Sequence, residues 1–238
     1  MVNSYYQWRR KEDETVHIPD GILNPFTCVI MYAVALLFLV WAWKGVKKTL
    51  PRSFIALIAI ISAVTLVVQL VEFPVAGGGS TWHFLGGTTI SMILGPYATV
   101  ISMTITLIIQ ALGFGDGGIT SFGANVFNMA VIGALSFFLV KVLLGKNYND
   151  RRLVLSVFVA SWVSNIMTAL AVGIEIGIYP MAGQLGGLIV TVPSMLMWYV
   201  PTGLIEGLVA AALIIPLSRI KSMKLLGLDL LRTKEKDM

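Results

Sequence analysis

Apolar and polar positions come in long blocks along this chain rather than alternating at the period of a strand or an amphipathic helix. Apolar runs cover residues 24–43, 54–73, 96–112, 124–144, 153–173 and 195–217, and a shorter one, 84–94, leads into Gly95-Pro96. About 20 apolar residues suffice for a helix to cross the hydrocarbon core of a bilayer, and a helix is the element that satisfies its own backbone there. The pattern therefore predicts an all-α integral membrane protein with about seven transmembrane helices. The segment 84–94 is expected as a short helix turning sharply into the next at the uncharged Gly95-Pro96 breaker. Between the runs lie a small-residue loop, 74–83, closed by His83, and a glycine-rich loop, 113–118. A long connection, 174–193, contains an apolar stretch read as re-entrant.

Composition supports this class: 57% of residues are hydrophobic and 12% charged, against about 25% charged in a soluble domain. The 238 residues divide into a polar tail, 1–15, without the apolar core of a signal peptide, a segment 16–23, a helical membrane domain, 24–220, and a basic tail, 221–238. The net charge of +5 would suit nucleic acid, but the basic residues sit between apolar runs, where they orient a membrane protein, so no nucleic-acid partner is expected. Four lysines and arginines fall at 44–52, four at 141–152 and six at 219–236, fourteen of the seventeen. With seven spans all three clusters share one side, so the amino terminus is expected outside and the carboxyl terminus in the cytoplasm, as in a multi-pass protein of a prokaryotic plasma membrane. Arg9, Arg10 and Lys11 run against that rule. The single cysteine, Cys28, is expected as a small buried hydrophobe.

The opposite face is expected to carry His17, Asp20, Glu72, His83, Asp116 and Glu175, so both histidines of the protein share it with four carboxylates that attract cations. Two histidines are too few for a tetrahedral zinc site made of side chains. Backbone nitrogen can complete a set: the imidazole, amide nitrogen and free amine of a histidine at the second position of a chain, plus a second histidine, give four nitrogens in a plane. That geometry favours nickel(II) or copper(II) and accommodates cobalt(II). Asn125 and Asn128 are candidates for orienting a histidine, or for hydrogen bonding helix to helix. Asp20, Glu72 and Asp116 either draw the ion in or solvate the loops. Glu206 lies within the last span, where ionisable groups are costly, beside a stripe of Gly203, Gly207 and Ala210 suited to packing on a partner or a neighbouring helix. No GxxxxGK[ST] loop and no HExxH pair is present, so neither ATP hydrolysis nor intramembrane metalloenzyme chemistry is expected.

His17-Ile-Pro-Asp-Gly-Ile-Leu, the loop ending in His83 with Leu85-Gly-Gly after it, Leu94-Gly-Pro96 and Gly115-Asp-Gly-Gly-Ile-Thr-Ser-Phe-Gly-Ala-Asn-Val-Phe-Asn-Met129 resemble the CbiM/NikM family from Val16 to about residue 220. These are substrate-capturing membrane subunits of energy-coupling-factor transporters for cobalt and nickel. The resemblance implies a non-catalytic subunit without a cofactor, whose bound ligand is the transported Ni2+ or Co2+. Its implied partners are a transmembrane coupling protein, a pair of ATPases and often a small accessory membrane subunit. It further implies metal ligation by the amide and imidazole of His17, by His83 and by the amine of Val16. Here Val16 is preceded by fifteen residues, and three arrangements address this: cleavage after Thr15, a ligand from the tail or water, or initiation at a GTG-encoded Val16. A stand-alone secondary carrier or channel for divalent cations is the alternative, and the residues do not separate nickel from cobalt.

Overall fold

The computed structural model describes residues 17–51, 53–74, 81–145, 149–180, 187–219 and 226–232, and these are almost wholly helical. In chain order the helices are α1 (Pro25–Thr49), α2 (Phe54–Gln69), α3 (Gly87–Ile109, continued by a wider turn over Gln110–Phe114), α4 (Phe122–Asn125), which passes through a wide turn at Val126–Val131 into α5 (Ile132–Leu144), α6 (Asp150–Gly177), α7 (Gly187–Ser218) and α8 (Leu226–Arg232). A two-residue ladder pairs β1 (Phe73–Pro74) antiparallel to β2 (Thr81–Trp82). Among the described residues, five helices are long and apolar enough to cross a membrane: α1, α3, the α4–α5 unit, α6 and α7.

α3 is the axis of the bundle, since 72% of its span is buried against 28% for α1. Its two arms meet at Gly95, whose φ of 76° and ψ of 167° leave the helix, as the breaker pair predicts. The short arm lies against α5 with no side chains between: a Cβ on Gly87 would stand 2.5 Å from the Cα of Gly133. Beside this contact Thr88 donates to Ser136 (2.8 Å) and Ser136 to the Gly133 carbonyl (2.6 Å). Small polar groups also join α2 to α3, where Ser62 and Ser102 hydroxyls are 2.9 Å apart. Such pairs suit a lipid environment, in which apolar burial does not favour helix association and close packing does.

α6 and α7 pack along most of their lengths through small residues. Gly173 faces Val192, Gly203 faces Asn165 and Gly207 faces Phe158, each too closely for a Cβ. The predicted stripe of Gly203, Gly207 and Ala210 therefore packs on a neighbouring helix of the same chain. Arg219 after α7 lies 3.7 Å from Asp150 at the start of α6, so two of the three basic clusters share one end of the bundle.

Three expectations need correction. The second apolar run forms a helix only to Gln69, because that buried amide turns inward and the chain leaves the helix to pair at Phe73. The connection predicted over 174–193 is mostly helical: α6 runs to Gly177 and α7 starts at Gly187, so the stretch read as re-entrant is the first turns of α7. Within the region read as a basic tail, α8 buries Leu228 and Leu231 and sits under the α3 elbow, with Leu226 and Leu230 facing Gly95. Residues 1–16, including Val16, lie outside the described residues, as does the start of the tail, 220–225.

Candidate metal site

Two segments far apart in sequence bring the histidines together. The first, residues 17–20, lies over the turn after α3. Gly117 and Gly118 make room for it: a Cβ on Gly118 would stand 2.4 Å from the backbone nitrogen of Asp20. The Ile18 carbonyl accepts from the Gly118 N–H (3.0 Å), the Asn125 amide (3.0 Å) and the Ser121 hydroxyl, and the Ile18 N–H donates to Asn125 Oδ1 (3.0 Å). Asn125 thus pairs with both backbone groups of Ile18, as a neighbouring strand would. Asp20 fastens the same segment by accepting from the Thr120 backbone N–H (2.6 Å) and hydroxyl (2.5 Å). Those bonds hold its carboxyl below its ordinary range, against a partial burial that acts the other way.

The second segment, residues 83–86, enters the core between β2 and α3. The Leu85 carbonyl accepts from Gln69 (3.0 Å), and Gln110 donates to the same glutamine (3.1 Å). Both carboxylate oxygens of Glu206 are taken up by the Leu85 and Gly86 N–H groups. Irregular backbone at membrane depth needs such partners, because lipid offers none.

Both histidines are buried, at 2% and 0% exposure, and their rings stack with centroids 5.0 Å apart and planes 30° from parallel. With metal–nitrogen bonds of about 2.0 Å, an ion held by both rings would place the centroids about 4–6 Å apart. His17 Nδ1 lies 2.7 Å from Asp116 Oδ1 and donates to it. His83 Nδ1 lies 3.0 Å from the Phe84 carbonyl, which can only accept. That bond fixes the tautomer: the ring hydrogen sits on Nδ1 and the lone pair on Nε2, which is buried with no hydrogen-bond partner among the described residues. Burial above all, and then His17 alongside, pushes His83 down to about 4, so the ring is neutral at ordinary pH and its Nε2 lone pair is not protonated. Burial resists ionisation of Asp116, but the hydrogen bond from His17 above all, with the two imidazoles alongside, holds its carboxyl below the usual range. A carboxylate holding the Nδ1–H of an imidazole is the arrangement that orients metal-binding histidines.

The other candidates fall elsewhere. Asn125 fixes the segment that carries His17 rather than its ring. Asn128 donates to Glu175 (2.7 Å) and accepts from Thr168 at its carbonyl (2.9 Å), which is helix-to-helix bonding. Glu175, expected in an outer loop, is a buried residue of α6. Cys28 is buried, as expected. Sequence reasoning gave no role to Gln69, Gln110 or Ser121. Glutamines in or beside apolar runs were the available signal, since a buried amide requires partners.

A helical membrane bundle that brings two distant histidines together around a buried, lone-pair-bearing nitrogen belongs to the class of metal-handling membrane proteins. Residues 17–223 match the family described as CbiM, cobalt uptake substrate-specific transmembrane region, and the chain belongs to that family. It is a multi-pass membrane protein of a nickel and cobalt transport family. It is 36% identical over 168 residues to the fused nickel transport protein NikMN of Rhodobacter capsulatus, covering 70% of this chain and 48% of that one. It is 31% identical over 208 residues to the cobalt transport protein CbiM of Thermosipho melanesiensis, covering 84% and 85%. The chain spans 64%, 48% and 57% of three fused nickel transport proteins that it matches. A crystal structure of a transition metal transporter superposes with a TM-score of 0.77 at 33% identity, covering 89% of this chain and 96% of that one.

Proposed function

We propose that this chain captures Ni2+ or Co2+ from the outer face of a prokaryotic membrane and passes it inward as the metal-specific component of an energy-coupling-factor transporter. The observation that carries the reading is the buried His83 Nε2, which has a lone pair and no hydrogen-bond partner among the described residues and stands in a ring stacked on His17. His17 binds through its ring. Where the amine of Val16 is free, the amide nitrogen and Nδ1 of His17 chelate the ion and Asp116 gives up Nδ1. Otherwise Nε2 is the donor and Asp116 keeps its hold. Seven crossings with the amino terminus outside are supported by five long helices, the 16-residue α2 and the two arms of α3. The shared end of Arg219 and Asp150 agrees with that orientation.

The ATP-hydrolysing step belongs to partner subunits, a transmembrane coupling protein and paired ATPases, with a small accessory membrane subunit in some assemblies. Nickel titration of the purified chain tests the site: His83→Ala abolishes binding, and stoichiometric nickel binding by that variant would remove His83 from the ligands. Metal uptake in cells with and without the ATPases separates the assembly from its rival, because uptake that survives their loss marks a self-sufficient carrier.

A further inference from the structure

Glu206 lies just past the middle of α7 and is 4% exposed. Its Oε2 accepts from the Leu85 N–H at 3.0 Å and its Oε1 from the Gly86 N–H at 2.9 Å. Gly86 is the N-cap of α3, in the left-handed region at φ 73°, and it has no side chain with which to cap the helix. Glu206 instead takes up the N–H of the N-cap residue itself, from another helix 120 residues away.

The two clamped N–H groups stand two and three residues beyond His83. On the other side of the same short strip, Gln69 donates to the Leu85 carbonyl. Leu85 therefore has both backbone groups bound by side chains, one from α2 and one from α7, and the strip has a single register against both helices. A strip whose ends were held only by the loop before it and the helix after it could slide or rotate. This one cannot move without breaking hydrogen bonds in surroundings that offer no water in exchange.

We propose that Glu206 is a positioning residue of the metal site, setting the depth and rotation of His83 from α7 through Leu85 and Gly86. This rests on the reading of His83 as a ligand. A carboxylate with each oxygen occupied by a peptide N–H acts as a fixed acceptor, and the ion meets it only through the strip it holds.

The test uses the full-length chain in detergent with nickel(II) alone as probe, comparing wild type, His83→Ala, Glu206→Gln, Glu206→Asp and Ser62→Ala. Glu206→Gln keeps the volume but turns an NH2 donor toward a peptide N–H, so one clamp is lost. Nickel binding is expected to weaken by about 10–100-fold, with a shifted visible absorption spectrum of the bound ion. Glu206→Asp, which retains two acceptor oxygens, is expected to recover part of the affinity and most of the spectrum. Ser62→Ala removes a buried hydrogen bond of the α2–α3 seam, and is expected to lower the melting temperature while leaving the nickel spectrum unchanged. Wild-type affinity and spectrum in Glu206→Gln would overturn the proposal. So would a Glu206→Gln loss that tracks the melting temperature alone and is not recovered by aspartate. If wild type shows no His83-dependent nickel binding, the reading of the site fails first and this inference falls with it.

Discussion

Gly133→Ala reaches the metal site without touching it. A Cβ on Gly133 would stand 2.8 Å from the Cα of Gly87, a backbone atom that cannot swing aside. Carbon atoms pack at about 3.5–4.0 Å, so the short arm of α3 and α5 must part by roughly 1 Å. Overpacking of this kind costs about 1–3 kcal/mol. The displaced arm begins four residues after His83, and the intervening strip is pinned by Glu206 and Gln69. The displacement therefore either strains those bonds or carries the imidazole with it, and sites of this kind tolerate only about 0.5 Å. Thermal unfolding in detergent is expected to fall by several degrees, and nickel affinity by about tenfold. Gly113→Ala is the control, because a Cβ there meets only the Ile109 side chain at 3.8 Å. Wild-type affinity in Gly133→Ala, at a lowered melting temperature, would refute the mechanical link between this crossing and His83.

Asn125→Asp keeps an acceptor for the Ile18 N–H but sets an anionic oxygen against the Ile18 carbonyl. A loss of about 1–3 kcal/mol of stability is expected, together with weaker nickel binding in equilibrium titration; an unchanged dissociation constant would show that residues 17–20 are held without this clamp. His83 titrates at about 4 in the fold against 6.5 in a model chain, so the unfolded state takes up its proton first and stability rises with pH. Metal-free stability is expected to be highest above about pH 6.5 and to decline toward pH 4 by up to roughly 3 kcal/mol, read as a falling melting temperature. A flat profile across that window would contradict the burial of a neutral ring.

The blocks of apolar sequence read correctly as membrane helices because length and hydropathy are local properties, and the Gly95-Pro96 bend was legible for the same reason. The pairing of the histidines was legible through the count of lysines and arginines, which placed both loops on one face, and through the family resemblance of the motifs that carry them. What was not legible is set by long-range polar pairing. Nothing near Glu206 says that it meets Leu85, and nothing near Gln69 says that it ends a helix early to hold a carbonyl. α6 carried a sign that was passed over: Ser161, Asn165, Thr168 and Glu175 recur at helical spacing and all face inward. Asp116 was recognised as a charge of the outer face, but its bond to His17 depends on the turn at Gly115 and Gly117, both in the left-handed region.

The elbow at Gly95 has a consequence for the end of the chain. Pro96 has no N–H to offer the Met92 carbonyl, and α8 closes over this spot: a Cβ on Gly227 would stand 2.3 and 2.4 Å from the Ser91 and Met92 oxygens. α8 lies beyond residue 223, where the family match ends. Between it and the histidine strip stands only the short arm of α3, eight residues or about 12 Å of stiff helix. Among the described residues, α8 and His83 are thus joined through the short arm of α3, and exchanging that helix between relatives is an operation on the candidate metal site as much as on a tail.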